Sequence, residues 1–169
     1  MLITLEALED EPLKFDEVFA ADQFDFAVPS LRQVAPLHVQ GVASAIEREI
    51  HIRGRLTTQV EMDCARCLEP VSQAVKRDFD LFYQPLDQSP DGDEQVVPKG
   101  EEELGFYSGE GVVLEDVAKE QVLLSLPMRA VCREDCKGLC PACGINRNRE
   151  SCKCKDTGGD PRWAALKNL

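Results

Sequence analysis

Six cysteines fall between residues 132 and 154: Cys132, Cys136, Cys140, Cys143, Cys152 and Cys154. Thiolates so closely spaced can converge on one tetrahedral ion without a large fold around them, so the segment reads as zinc-binding. Its sharpest part is Cys140-Pro141-Ala142-Cys143-Gly144. Two residues between the thiols let one tight turn aim both sulfurs at a metal, and Gly144 tolerates the positive φ that brings backbone N–H groups round to them. A second Cys-x-x-Cys lies upstream, at Cys64 and Cys67.

Eight cysteines permit two four-thiolate sites, hence two structural Zn2+ ions. One partition joins Cys64, Cys67, Cys132 and Cys136 and leaves Cys140, Cys143, Cys152 and Cys154 as a site closed within the C-terminal segment. A rival joins the Cys64 pair to Cys140 and Cys143, and a third arrangement holds one zinc with four spare thiols. Reduced cysteines acting as small buried hydrophobes fit isolated residues better than short-spaced pairs flanked by Lys and Arg. Redox cycling is another use of Cys-x-x-Cys, but neither pair sits between a strand and a helix of a βαβ unit. A zinc-thiolate redox sensor therefore stands as the alternative function.

Enzymatic readings fare worse. Zinc deaminases need His-x-Glu and a proline before the first cysteine of the pair, whereas His38 and His51 are followed by Val-Gln and Ile-Arg. Four thiolates leave no open position for a catalytic water, and no carboxylate pair shares an expected face with a histidine. The expectation is a protein that is not an enzyme and has no small-molecule substrate. Both histidines read as strand-surface residues.

Charge narrows the partners. The chain has 169 residues, 43% hydrophobic and 30% charged, with a net charge of −12, which argues against broad non-specific nucleic-acid binding. The acid is unevenly spread: from Arg129 onward nine Lys/Arg face five Asp/Glu, a net +4, which leaves −16 on the first 128 residues. Arg147, Arg149, Lys153 and Lys155 cluster around the cysteine turn, where cations at fixed spacing could grip an RNA backbone. Trp163 reads as an anchor for the end of the chain. No run of about 18 apolar residues exists, so no membrane span is expected. The first residues lack the pattern of a signal peptide, which makes a reducing cytoplasm the expected location.

The elements that position the cysteines can be sketched from periodicity. Ile50, Ile52, Gly54, Leu56, Thr58, Val60 and Met62 alternate with polar residues, as do Val71, Val75, Phe79, Leu81 and Tyr83, so two strands form a hairpin with Cys64 and Cys67 at its tip. Pairing Met62 with Val71 sets Arg55 opposite Asp78 and Arg53 opposite Asp80. Residues 38–47 are a third strand, and Leu2–Leu8 a short one. Residues 13–36 read two ways: Phe15, Val18 and Phe19 suit a helical turn, while Phe24, Phe26 and Val28 alternate like a strand. Residues 84–103 form an acidic linker, residues 113–126 an amphipathic helix ended by Pro127, and residues 160–169 a last short helix. The expected fold is α+β: an antiparallel β-sheet with a packed helix over residues 1–128, and a zinc-stapled segment over 129–169.

Taken together, Cys64-Ala65-Arg66-Cys67-Leu68, Leu126-Pro127, Cys132-x-x-x-Cys136-Lys137-Gly138-Leu139-Cys140-Pro141-x-Cys143-Gly144, Asn146, Asn148, Cys152-x-Cys154 and Asp160-Pro161-Arg162 resemble the YceD family, the large ribosomal RNA subunit accumulation proteins. The resemblance spans roughly residues 50–169. It implies a bacterial cytosolic factor for large-subunit ribosomal RNA accumulation, acting in RNA processing or ribosome assembly without catalysis. Its partner would be large-subunit RNA, a precursor of it, or a basic ribosomal protein. Relatives that lack the later cysteines keep the other four, which supports grouping Cys64 and Cys67 with Cys132 and Cys136. Arg147 departs from the family pattern, where many relatives read Asn-Leu-Asn.

Overall fold

The computed structural model describes residues 1–86 and 104–154. It divides into two compact units: Met1–Met62 with Ser72–Met128, and Asp63–Val71 with the chain from Arg129 onward. The strands are β1 (Leu2–Thr4), β2 (Leu13–Phe19), β3 (Leu31–Gln33), β4 (Leu37–Ile46), β5 (Glu49–Asp63), β6 (Pro70–Pro85), β7 (Leu104–Tyr107) and β8 (Gly111–Val113), followed by helix α1 (Leu114–Ser125).

Among the described residues, six strands build the sheet of the first unit, in the order β2-β4-β5-β6-β7, with β3 beside the far end of β5. The two-residue turn Glu47-Arg48 joins β4 to β5, and Ile46 pairs with Glu49 across it. The alternation in β5 and β6 sorts as its pattern predicts: Ile50, Ile52, Leu56 and Val60 are buried, as are Val75, Phe79, Leu81 and Tyr83. On the polar face Arg55 forms its ion pair with Asp78, while Asp80 takes His51 at 2.5 Å, so a histidine and two carboxylates do share a face, contrary to the expectation from sequence. His38 likewise pairs with Asp16.

The sheet is mixed rather than wholly antiparallel, because β7 runs parallel to β6 with Phe82 opposite Leu104. A parallel neighbour needs a connection of a dozen residues or more, and the 18 residues between Pro85 and Leu104 supply that length. Residues 87–103 of the expected linker lie outside the described residues, as do Lys155, Trp163 and the expected helix at 160–169. Strand β1 is shorter than expected, since Glu6–Leu8 form a 3-10 turn, and it pairs with β8 in a separate two-stranded sheet.

The ambiguous stretch resolves by tertiary contact. Leu13–Phe19 is a strand, whereas Phe24–Val28 is irregular despite its alternation. Its backbone is held by the side chain of Gln33, only 1% exposed, which accepts from Phe24 N–H and donates to the carbonyls of Ala20 and Ala35. Phe24 and Phe26 still reach the core, where Phe24 meets Phe19 edge-on at 5.1 Å.

Helix α1 begins as β8 ends, with Glu115 and Asp116 in a first turn whose dipole favours acids. Leu114, Val117, Ala118 and Val122 face the core, and Gln121 accepts a 2.7 Å hydrogen bond from Arg77 Nε of β6. Pro127 forces Leu126 into an extended conformation, which ends the helix. A row of Phe15, Gly41, Gly54 and Phe79 crosses the buried face: Phe15 pairs with Gly41 and Gly41 with Gly54, and both rings lie over the glycines. A Cβ on Gly54 would sit 2.8 Å from the Phe79 ring and 2.6 Å from the Gln40 carbonyl.

Candidate metal centres

The second unit is made almost entirely of turns, as expected where side chains have too little apolar surface to build a core. The loop between β5 and β6 folds on itself: Cys64 N–H donates to Glu69 O at 2.8 Å, and Leu68 N–H donates to Cys64 O at 2.9 Å. Leu68 is left in the left-handed region at φ +60°. The turn at Cys140 repeats this plan, with Cys140 N–H donating to Ile145 O, Gly144 N–H donating to Cys140 O at 2.8 Å, and Gly144 at φ +74°. The two Cys-x-x-Cys motifs are thus the same turn built twice.

Between these turns run Cys132 and Cys136. Ala65 N–H donates to Ala130 O, which brings residues 130–132 alongside the first turn. The Arg66 guanidinium spans the far side, donating from Nη1 to the carbonyls of Glu134 and Cys136, both at 2.9 Å. Arg66 O in turn accepts from Leu139 N–H at 3.0 Å. Gly138 passes so close that a Cβ there would lie 2.9 Å from Arg66 O.

The result is two tetrads, Cys64 with Cys67, Cys132 and Cys136, and Cys140 with Cys143, Cys152 and Cys154. Within each, all four sulfurs lie within 4.8 Å of one another. Cys64 Sγ is 3.9 Å from Cys136 Sγ, and Cys67 Sγ is 3.6 Å from Cys132 Sγ. These are the donor set and the spacing of a four-coordinate thiolate site, so each tetrad can hold a metal ion. The first of the partitions weighed from sequence is the one the fold brings together; the Cys64 pair does not group with Cys140 and Cys143.

The electrostatics of the turns favour thiolate at selected sulfurs. Burial pushes the Cys64 thiol up, but the backbone N–H groups of Arg66, Cys132 and Cys67 outweigh it and bring it down to about 6. Cys140 is also lowered to about 6, first by the N–H groups of Cys143 and Ala142. Burial and three neighbouring cysteine sulfurs push Cys132 up to about 12, and Cys143, followed by burial, does the same to Cys154. The first tetrad is the drier: Cys64, Cys67 and Cys136 are buried against Val71, Val131 and Leu139. In the second, Cys140 is buried, Cys152 is half-buried, and Cys143 and Cys154 are exposed.

The cations expected to contact RNA divide. Arg149 is tied to Glu69 in an ion pair with Nε 2.5 Å from Oε1. Arg147 and Lys153 are exposed, and neither has a side-chain partner among the described residues. Two residues escaped site assignment from sequence: Arg66, which braces the first tetrad, and Asn148, whose Nδ2 lies 3.3 Å from Cys136 Sγ. Both stand within the motif residues that carry the family resemblance, but nothing in their spacing marks them as supports of cysteines distant in sequence.

Comparison with known proteins points to one family. The family described as "Large ribosomal RNA subunit accumulation protein YceD" matches residues 52–169. An uncharacterized protein of Mycobacterium tuberculosis H37Rv is 31% identical over 151 residues, covering 89% of this chain and 70% of its own length. A maize protein named large ribosomal RNA subunit accumulation protein YCED homolog 1, chloroplastic, is 27% identical over 133 residues, covering 63% of this chain and 44% of its own. The homolog of that name from Arabidopsis thaliana is 25% identical over 152 residues, covering 73% of this chain and 45% of its own length. No solved structure matches. Among the described residues, no helix is long and apolar enough to cross a membrane.

Proposed function

We propose, from the premise that this chain belongs to the YceD family, that it is a non-enzymatic factor for large-subunit ribosomal RNA, holding a rigid RNA-binding surface together with two structural zinc ions. The observation that carries the reading is the pair of all-cysteine tetrads in a unit with little core of its own. Zinc bound to four thiolates at about 2.3 Å sets neighbouring sulfurs about 3.8 Å apart, close to the 3.6 and 3.9 Å seen in the first tetrad. Zinc in such a site would supply stability and no open coordination position. The chain's own residues do the rest: the paired turns hold the sulfurs, Arg66 braces them, and Arg147 and Lys153 stay available for phosphate. The reading places the protein in the cytoplasm of a bacterium.

The −16 carried by the first 128 residues favours a second reading, in which that acid engages a basic ribosomal protein and shields it from non-specific RNA. A redox sensor that sheds zinc on oxidation is a third, resting on the exposed Cys132, Cys143 and Cys154. Mild oxidant that leaves both zincs bound removes it.

The deciding experiment is depletion of the protein in its host, with large- and small-subunit ribosomal RNA quantified together. Large-subunit RNA should fall relative to small, and wild-type protein should restore it where Cys64→Ser/Cys67→Ser does not. An unchanged ratio on depletion would remove the proposal. Crosslinking in the same cells separates the first two readings by whether RNA or a ribosomal protein is captured.

A further inference from the structure

We infer that the two cysteine tetrads are thermodynamically coupled and that Asn148 carries the coupling: metal held by Cys140, Cys143, Cys152 and Cys154 tightens the hold of Cys64, Cys67, Cys132 and Cys136 on theirs. The inference rests on the reading that both tetrads bind metal.

Asn148 belongs by sequence to the second tetrad, in the loop between Cys143 and Cys152, yet its side chain serves the first. Oδ1 accepts from the backbone N–H of Lys137 at 2.8 Å and from Arg133 Nη2 at 2.9 Å, and Nδ2 donates to Cys136 Sγ at 3.3 Å. One amide thus fixes the backbone just after the ligand Cys136, holds the Arg133 side chain before it, and gives the ligand's sulfur a donor. Groups in this position orient a ligand and favour its charged form.

The amide is held in place by its own loop. Asn148 N–H donates to Asn146 Oδ1 at 2.9 Å, Arg149 and Glu150 N–H both donate to Asn146 O at 3.0 Å, and Arg147 N–H donates to Gly138 O at 3.0 Å. Leu139 and Asn146 pair across an isolated bridge next to Cys140. Metal at the second tetrad pins both ends of this loop, at Cys143 and Cys152. Without it, the ordering of residues 144–151 must be met when the first tetrad binds, and first-site affinity falls accordingly. The effect is reciprocal: metal at the first tetrad orders residues 133–137, to which Asn148 is bonded, and so favours binding at the second.

The test is a zinc competition titration of the full chain against a chromogenic chelator, with Cys64→Ser/Cys67→Ser identifying which step belongs to the first tetrad. Asn148→Ala should weaken first-site binding by about 10- to 100-fold and, by reciprocity, second-site binding by the same factor when the first tetrad is loaded, while leaving the second site nearly unchanged in the Cys64→Ser/Cys67→Ser background. Cys143→Ser/Cys152→Ser should weaken the first site by a similar factor, and adding Asn148→Ala to it should bring no further loss. A merely destabilising substitution would instead add its effect in both backgrounds. First-site affinity unchanged in Asn148→Ala, or unchanged when the second tetrad is destroyed, overturns the coupling. Wild-type protein that binds no zinc removes the metal reading itself and the coupling with it, whereas wild type with two zincs and an indifferent Asn148→Ala removes the coupling alone.

Discussion

Leu68 and Gly144 occupy equivalent places in two copies of one turn: each follows the second cysteine of a Cys-x-x-Cys pair, and each donates its N–H to the carbonyl of the first. Both have positive φ, +60° and +74°, but only one is a glycine. Leucine in that region carries a strain of roughly 1–2 kcal/mol, and Leu68 is 62% exposed, so little burial offsets it.

Leu68→Gly should therefore stabilise the metal-loaded protein by about 0.5–1 kcal/mol, after the extra unfolded-state entropy of glycine is subtracted. Gly144→Ala should do the reverse by about 1 kcal/mol through φ alone, because nothing lies within 4 Å of where its Cβ would go. Denaturant midpoints of the zinc-loaded variants check both signs.

Gly54→Ala should cost about 2–3 kcal/mol, since its methyl would press on the Gln40 carbonyl, which is backbone and cannot swing away, as well as on Phe79. Adding Phe79→Leu would remove only the ring contact, so it should recover part of the loss and not all of it. Thermal unfolding of the single and double variants reads the difference.

The hydrogen bond from Arg55, with the cation's attraction, holds the Asp78 carboxyl below its ordinary value. A carboxyl depressed in the folded state contributes stability above its unfolded pKa and loses it as pH falls through the folded one. The stability gap between wild type and Asp78→Asn should thus be flat from neutral pH down to about 5 and close below about 4. The pair is exposed, so the gap should be small and should shrink in salt. Metal-free samples, followed by their β-sheet signal, keep acid release of zinc out of the measurement.

These residues also show what was legible beforehand. The Arg55 pairing with Asp78 could be written down from alternation because a strand period of two fixes the facing sets once one pair is chosen. The cysteine grouping was one of several permitted by spacing, since ligand count constrains number and not partnership. Phe24–Val28 misled for a physical reason: its alternation is real and both rings pack on the core, but the Phe24 N–H is taken by the side chain of Gln33, which ties the segment's start to the carbonyls of Ala20 and Ala35 instead of to a neighbouring strand. The parallel placement of β7 was hidden as well, because four residues carry no sign of direction.

Alanine at Arg147 and Lys153 should weaken association with single-stranded ribosomal RNA and lower the slope of log affinity against log salt by about 1.4. Alanine at Arg149 should leave that slope nearly unchanged while loosening the fold, since its cation is already spent on Glu69. Filter binding across a salt series separates the two behaviours.

Chelator should strip the second tetrad first. Cys143 and Cys154 are exposed, while three of the four sulfurs in the first tetrad are buried. Two release phases are expected, and the slow one should vanish in Cys64→Ser/Cys67→Ser.

The first tetrad takes two of its sulfurs from a hairpin tip and two from a segment 65 residues further along. A metal there acts as a clasp across a long closed ring of chain, worth about 4 kcal/mol if it restrains the unfolded ensemble as a covalent cross-link would, against about 2.5 for the nine positions from Cys143 to Cys152. It also imposes an order in time. During synthesis Cys64 and Cys67 emerge long before their partners, so the half-built site must wait, open to oxidation or to the wrong metal, until β6, β7, β8 and α1 have been made.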